Sequence, residues 1–520
     1  MKNLYIRQFV FGTFVAALTL LSSCAEDDEI LVPHYELKPK PPETDAERNP
    51  NADASFEAFN KAFLLYKNGL QYYRSTLISE EKDYFWGQAL DIQMAEDVYW
   101  RTKNPTHATL ISDLLNAFVK QNVGTTPPGD WGWNDFNDDI LWAGLAFARG
   151  YQITDNPVFL EKAEYAFNLM YDRGWDEELG GGIWWRQLPI NEDERSKSAL
   201  SNSPAVILGC YLYEFTEKAD YLTKSEKIST WLMNTLYRSV DGGVYENIKA
   251  TGKLSDWGNV YTNGAFVEAM THMHKLTGQN KYYDAAQNAS DFVKRERTTN
   301  GIMASHRFDG TWQSEYLRGI GNFIRENNLW APYYDWLRMN ADVAWNARRK
   351  DLNLTWNDWL NPTDETDNQM KPLEALGGVI VQQITPLVNP EILVNKTYNI
   401  FPKTDTTVLF TNTNNSLTVA KTSSTNSQEF RVVSKGYGYY QVESVSNTGT
   451  VLSVDGENIT FKPADAANEN QFWKIVFDNR GYYKLRPKKS PLKVLNFDGT
   501  KFTLLKEKFT DGERIRFREK

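Results

Sequence analysis

Between residues 54 and 386 the apolar positions recur with helical spacing. Phe56, Phe59, Phe63 and Tyr66 fall on one face at i, i+3, i+7 and i+10. The same period predicts helices near 83–102, 107–121, 138–151, 157–172, 199–217, 220–237, 260–276, 280–296, 312–327, 328–348 and 369–386, twelve in all with the first. A repeat runs through them. Thr154-Asp155 ahead of Val158-Phe159-Leu160 returns as Thr216-Glu217 ahead of Tyr221-Leu222, then as Thr277-Gly278 ahead of Tyr282-Tyr283, at intervals of 62 and 61 residues. Gly181-Gly182-Ile183-Trp184 returns after 61 residues as Gly242-Gly243-Val244-Tyr245, and more faintly as Gly301-Ile302-Met303. Each unit is therefore two helices and a glycine-bearing loop. Such hairpins stack into an open solenoid or close into a ring. Six pairs are enough to close, so the expected fold is an (α/α)6 toroid over residues 54–388, with a central cleft where the loops can hold a ligand.

Beyond residue 389 the pattern changes to short β-type runs rich in Thr, Val and Asn. A second repeat appears there: Tyr439-Tyr440-Gln441-Val442 returns 43 residues later as Tyr482-Tyr483-Lys484-Leu485. Gln428-Glu429-Phe430 returns, again after 43, as Gln471-Phe472-Trp473, and faintly as Glu513-Arg514-Ile515. Three β units of this length resemble the ricin-type β-trefoil, whose signature is Gln-x-Trp in each lobe. Only one lobe keeps it intact, so glycan binding and packing against the helical domain both stay open as roles for residues 389–520. The chain is thus expected to be multidomain, an all-α toroid followed by an all-β trefoil-like domain.

Composition adds a direction. Trp 17 and Tyr 27 in 520 residues is a high aromatic share, and flat amphipathic rings suit sugar faces as well as cores. A net charge of −10 argues against nucleic acid, whose phosphates call for basic patches. Lys2 and Arg7 precede an apolar run from Phe9 to Leu21, too short for a stable membrane-spanning helix and suited to an export signal. It ends in Leu21-Ser22-Ser23-Cys24, which resembles a bacterial lipoprotein processing site. That resemblance implies a signal peptide over 1–23 and lipidation of Cys24. Ala25-Glu26-Asp27-Asp28-Glu29 resembles the acidic tag of surface-exposed outer-membrane lipoproteins, and 24–53, with five prolines between Pro33 and Pro50, is expected to be an extended tether. Only Cys210 remains after Cys24, which leaves no intramolecular disulfide in a processed chain.

The chemistry centres on Asp130-Trp131-Gly132-Trp133-Asn134-Asp135-Phe136-Asn137-Asp138-Asp139, at the foot of a helix kept slim by Ala143, Gly144, Ala146, Ala148 and Gly150. Asn and Asp are common at helix starts because they cap free N–H groups and complement the dipole. Asp135-x-Asn137-x-Asp139 has the alternation of a calcium loop, but Ile140 and Ala146 stand where the glycine and the bidentate glutamate belong. Glycoside hydrolysis is the third reading. It usually needs one ionised carboxylate and one carboxylic acid. Two carboxylates about 5 Å apart repel by roughly 3 kcal/mol at an effective dielectric near 20, which is about two pKa units. Such a pair holds one proton near neutral pH. His272-Met273-His274 points its rings to different helix faces, which does not suit zinc. No phosphate-cradling loop, nucleophile elbow or dinucleotide fingerprint is present.

An Asp-Asp pair opening a Trp-bearing helix on a two-helix repeat resembles glycoside hydrolase family 76, the endo-α-1,6-mannanases and their fungal wall relatives. The likeness extends over about residues 55 to 360. Lys197-Ser198-Ala199-Leu200-Ser201-Asn202-Ser203-Pro204, Tyr261-Thr262-Asn263-Gly264, and Leu317-Arg318-Gly319-Ile320 with Arg325 resemble further family segments, whereas Glu246 and Leu317 depart from them. The resemblance implies a retaining mechanism with Asp138 as nucleophile and Asp139 as acid/base. It further implies substrate contacts from Trp131, Trp185, Asn202, Tyr261, Asn263 and Arg318, and no metal or cofactor. Trp133 and Arg186 are further candidates for sugar contact. The expected partners are an α-mannan polysaccharide and, through the lipid anchor, the outer membrane; no nucleic acid is expected, and the chain is expected to be monomeric. A non-catalytic glycan-binding lipoprotein and a mannan transglycosylase on the same fold are the alternatives.

Overall fold

The computed structural model describes residues 49–124, 130–187, 191, 195–257, 259–303, 312–478 and 481–520. Twelve helices precede the β-rich part: α1 (Pro50–Phe63), α2 (Phe85–Thr102), α3 (Pro105–Gln121), α4 (Asn137–Thr154), α5 (Pro157–Gly174), α6 (Ala199–Thr216), α7 (Ala219–Thr235), α8 (Val260–Thr277), α9 (Asn280–Glu296), α10 (Trp312–Asn327), α11 (Trp330–Asn346) and α12 (Pro372–Ile384). The even-numbered helices each pack on the next, and α12 packs back on α2. That contact closes the ring, so the repeat forms a toroid and not a solenoid. Burial matches the layout. Inner helices such as α6 and α8 are apolar or small almost all round, whereas the outer helices bury one stripe. Asn49, Asn104 and Asn156 cap outer helices that open with proline, which is preorganised for that position.

Two expectations need correcting. Pro50–Asp53, assigned to the tether, form the first turn of α1. Tyr66 does not continue the apolar face of Phe56, Phe59 and Phe63, being 76% exposed. The helix ends at Phe63 because Asn68 and Gly69, both at positive φ (55° and 76°), turn the chain into a hairpin pairing Leu64–Lys67 with Leu70–Tyr73.

The glycine loops do what their spacing promised. Trp175 bridges Ile183, Tyr237 bridges Val244 and Thr299 bridges Ile302, the same antiparallel contact in three successive units. A Cβ on Gly182 would sit 2.5 Å from Trp231, and one on Gly242 would sit 2.1 Å from the Asn288 carbonyl, so both positions need glycine.

Residues 397–519 contribute twelve strands. Six of them (Thr397–Pro402, Phe430–Gly436, Tyr439–Ser444, Trp473–Phe477, Tyr483–Pro487, Ile515–Glu519) pair in a closed cycle. The rest form hairpins, giving the β-trefoil. Its signature residues are structural staples. Gln428 accepts from the Ser423 amide (2.8 Å) and donates to the Lys421 carbonyl (2.8 Å). Gln471 accepts from Asp465 and donates to Pro463, both at 2.8 Å. In the third lobe Glu513 accepts from the Lys508 and Phe509 amides at 2.8 and 2.7 Å.

The trefoil is seated on the C-terminal ends of the inner helices and on the start of α11. Phe509 packs on Trp100 (4.4 Å between ring centres), Tyr439 on His274 (5.4 Å) and Phe477 on Trp330 (5.4 Å). Arg486, 3% exposed in its side chain, bridges Glu326 of α10 to Glu507 of the trefoil. The toroid is therefore closed at that end, and its loop-bearing end holds the N-termini of the inner helices.

Candidate active site

Asp138 and Asp139 occupy the first turn of α4, at that loop-bearing end. Neither they nor Asn137 caps the helix: the cap position is Phe136, which makes no side-chain capping bond. Asn137 is fully buried and spends its amide elsewhere, donating to the Trp184 carbonyl (2.7 Å) and accepting from Arg173 Nε (2.7 Å). Its backbone N–H donates to Trp185 O at 2.9 Å, and Gln187 N donates to Asp135 O at 2.8 Å. The chain before α4 is thus stitched to 184–187, which brings Trp185 over the helix start.

That stitching defines the carboxylates' surroundings. Trp185 Nε1 donates to Asp138 Oδ2 at 2.9 Å, and the Asp139 backbone N–H donates to Asp138 Oδ1 at 3.1 Å. Asn134 Nδ2 donates to Asp139 Oδ2 at 3.0 Å. Both acids are part-exposed yet closely walled by protein. Burial, the main cause, raises Asp139 to about 6, with the Asn134 bond pulling the other way. Burial and then the neighbouring Asp139 charge raise Asp138 well above the ordinary range, against the pull of Trp185 and the backbone N–H. One proton shared by two acids near neutral pH follows.

Around the pair, Tyr261 lies close enough to feel the Asp138 charge, while its hydroxyl donates to the buried Glu246. Thr262 donates to the other Glu246 oxygen at 2.5 Å. Trp133, 52% exposed, and Trp257, 68% exposed, stand on the loops ahead of α4 and α8 at the same end. Sequence reasoning singles out neither Trp257 nor Asn134; Asn134 belongs to the same Asp/Asn-rich run as the acid pair, and no spacing marks Trp257.

Other expected contacts turn out to be structural. Trp131 is fully buried, edge-on to Phe85 and Phe118, and is a core residue, not a sugar platform. Asn202, fully buried, accepts from Ile183 N (2.8 Å) and donates to Ile183 O (3.0 Å) and Ser198 O (2.7 Å). Asn263, 61 residues on, donates to Gly242 O (3.1 Å) and Ala289 O (3.3 Å). Both asparagines pin the glycine loops of successive units; Asn202 spends both its oxygen and its nitrogen there, Asn263 its nitrogen. Arg318 is 4% exposed and held by Asp97 (3.0 Å) and Glu315 (2.5 Å). It lines a cavity of about 130 Å³ with Arg149, Arg486 and Glu507 on the trefoil side. Arg186 pairs with Asp135 (2.5 Å), so Asp135, Asn137 and Asp139 each face a different partner and do not converge on a cation. Cys24 lies outside the described residues.

Comparison with known proteins agrees with this arrangement. The model of glycosyl hydrolase family 76 matches residues 51–390, and that of the ricin-type β-trefoil lectin domain-like family matches 426–503. A mannan endo-1,6-alpha-mannosidase of Saccharomyces cerevisiae is 23% identical over 218 residues (39% of this chain, 47% of the relative). One of Candida albicans is 24% identical over 228 residues (41% and 50%). The chain spans about half the length of these curated relatives. Among solved structures, the alpha-1,6-mannanase of Salegentibacter sp. HEL1_6 superposes with a TM-score of 0.57 at 24% identity, covering 65% of this chain and 99% of that one. Inactive variants of that enzyme, altered at two consecutive aspartates, are known with alpha-1,6-mannotriose and alpha-1,6-mannotetrose. A family 76 mannosidase of Bacteroides thetaiotaomicron gives 0.56 at 21% identity, covering 66% and 97%. Residues 51–390 place this chain in glycosyl hydrolase family 76.

Proposed function

We propose that the protein cuts α-1,6-linked mannan within the chain by a retaining double displacement. The observation that carries this reading is the unequal hydrogen bonding of two adjacent, closely walled acids at the open end of the ring. Asp138 accepts a donor on each oxygen, and these two bonds oppose the rise that burial and the Asp139 charge impose on it. Asp139 accepts one side-chain donor, on Oδ2, which leaves Oδ1 for the proton. In the first step an Asp138 oxygen bonds to the anomeric carbon as the glycosidic C–O bond breaks, and Asp139 passes its proton to the departing oxygen. In the second, the Asp139 carboxylate takes a proton from water, whose oxygen displaces Asp138 from that carbon. Tyr261 and Trp185 wall the subsite, and Trp133 and Trp257 offer ring faces further out. The Salegentibacter variants support the reading, since they are described as inactive and as binding α-1,6-linked mannose oligomers.

Debranched α-1,6-mannan tests it: Asp138→Asn and Asp139→Asn each keep the fold by circular dichroism and lose oligosaccharide release. Undiminished release by either variant overturns the assignment. A mannoside with a good leaving group separates the roles, because it needs no proton and restores the first step in Asp139→Asn only. Anchoring at the cell surface is proposed from sequence alone, on Leu21-Ser22-Ser23-Cys24. Cys24→Ala is expected to move the protein from the membrane to the soluble fraction.

A further inference from the structure

Outside the cleft, residues of the 175–180 segment and of α7 from Thr223 to Thr235 enclose an open groove of about 580 Å³. Trp175 and Trp231 line it together with Glu226, Lys227, Asn234 and Thr235. We propose that this groove is a second glycan site on the catalytic domain, taking a neutral hexose oligomer, and that it holds the polymer while the cleft cuts. The proposal rests on the mannan-hydrolase reading for the identity of that polymer.

The groove is built before any ligand arrives. Its wall includes Leu179 (φ 59°) and Gly180 (78°), and the positive φ continues beyond it through Gly181 (116°) and Gly182 (89°). Leucine in that region is strained and persists only where the surroundings fix it. Here they do. Lys197, fully buried, reaches up from beneath and donates to Asp176 Oδ1 (2.6 Å), Glu178 O (2.6 Å) and Gly181 O (2.7 Å). Trp231 Nε1 ties the Leu179 carbonyl from the side at 3.1 Å. Trp175 is set by stacking on Tyr171, with ring centres 5.6 Å apart and planes at 9°. A fixed indole is what a sugar face needs from a platform, because little entropy is lost on binding.

The polar groups fit the same ligand. Among the described residues the Asn234 amide and Thr235 hydroxyl make no hydrogen bond, so donors and acceptors stand ready for hydroxyl groups. Glu177 is paired to Lys227 at 3.2 Å, which leaves Glu226 as the net charge and disfavours an anionic ligand. The groove also shares a frame with the reaction centre. Lys197 sits on the strand Ser196–Ser198, whose Ser196 carbonyl receives the N–H of Trp185 (2.8 Å), and Trp185 holds Asp138. One loop, 175–187, therefore has the groove on one side and the acid pair on the other.

Two variants test the proposal: Trp175→Ala removes the platform, and Asn234→Arg blocks the groove from an exposed helix position without touching the core. Each is expected to lower kcat/KM on debranched α-1,6-mannan about five- to tenfold and leave kcat/KM on α-1,6-mannotetraose unchanged. In the uncleaving Asp139→Asn background, each is expected to run faster through a gel containing the mannan. Equal losses on both substrates, or no loss on either with unchanged retardation, overturn the proposal. If the wild type cleaves neither substrate, the hydrolase reading falls and the gel decides the groove alone. Retardation lost in Asn234→Arg then keeps it, and equal retardation removes it.

Discussion

The indole of Trp185 and the carboxylate of Asp138, 47 positions apart in the chain, are joined by a 2.9 Å hydrogen bond. That bond sets the poise of the acid pair, because burial raises both carboxyls and, among the described residues, Trp185 is the side-chain donor that opposes the rise at Asp138. Trp185→Phe keeps the ring and removes the donor. The anion at Asp138 is then less favoured, so the acidic limb of the kcat/KM profile is expected to move upward. The loss at the optimum is expected to be about ten- to a hundredfold, as for one charge-assisted bond of about 1.5–3 kcal/mol. An unchanged acidic limb would mean that the ring only shapes the subsite.

Asp139 carries a stability cost that its function explains. Its folded value of about 6 lies above the ordinary 3.8, so the native state disfavours the ionised form. Below about pH 3 the group is protonated in both states and costs nothing. The cost grows between pH 4 and 6 and is complete above 6, at roughly 3 kcal/mol. Asp139→Asn is therefore expected to raise the melting temperature at pH 7.5 and leave it unchanged at about pH 3. The same shared proton is the one the leaving group needs, so wild-type kcat/KM is expected to fall as pH rises through the range in which the pair loses it.

Asn202 separates a structural from a substrate-binding role. Asn202→Ala leaves the Ile183 N–H and two carbonyls unpaired in a fully buried site. The expected result is a loss of about 2–4 kcal/mol in denaturant unfolding with KM on mannotetraose little changed. A raised KM without destabilisation would return Asn202 to the substrate.

Local pattern carries much of this protein. Twelve helices follow from apolar period, and the two-helix repeat with six pairs makes a ring possible, which the packing of α12 on α2 then closes. What the pattern misjudges is long-range. Trp131 and Trp185 look alike in sequence, yet one fills the gap between Phe85 and Phe118 while the other is carried over the helix start by pairing of 184–187 with 135–137. No spacing rule distinguishes them. Tyr66 departs from expectation because the apolar period runs on past a turn written in Asn68-Gly69. Arg318 and Lys197 are buried cations, and the fold brings Asp97 to the first and the 176–181 backbone to the second. For Glu513, the faint third repeat is enough to locate it but not to show that a carboxylate does a glutamine's work by accepting two backbone N–H groups.

Arg486 decides whether the trefoil is a passenger or part of the toroid. It is 3% exposed in its side chain, between Glu326 of α10 and Glu507. Those two carboxylates, with the Lys275–Glu214 pair nearby, are held ionised by this arginine together with Lys275, and Glu507 also by Lys484. Arg486→Ala removes the cation shared by Glu326 and Glu507 and leaves Lys484 on Glu507 and the adjoining cavity to compensate in part, so a loss of about 2–4 kcal/mol is expected. The replacement of Glu326 by Gln in the same chain should recover part of it, since one of the stranded charges is gone. Because the acid pair is at the opposite end of the ring, folded Arg486→Ala is expected to cleave mannotetraose at the wild-type rate at 25 °C. Thermal unfolding followed at both domains separates the two roles: one shared transition, lowered in the variant, makes the trefoil a structural cap, whereas two transitions with an unmoved helical one would make it a tethered module.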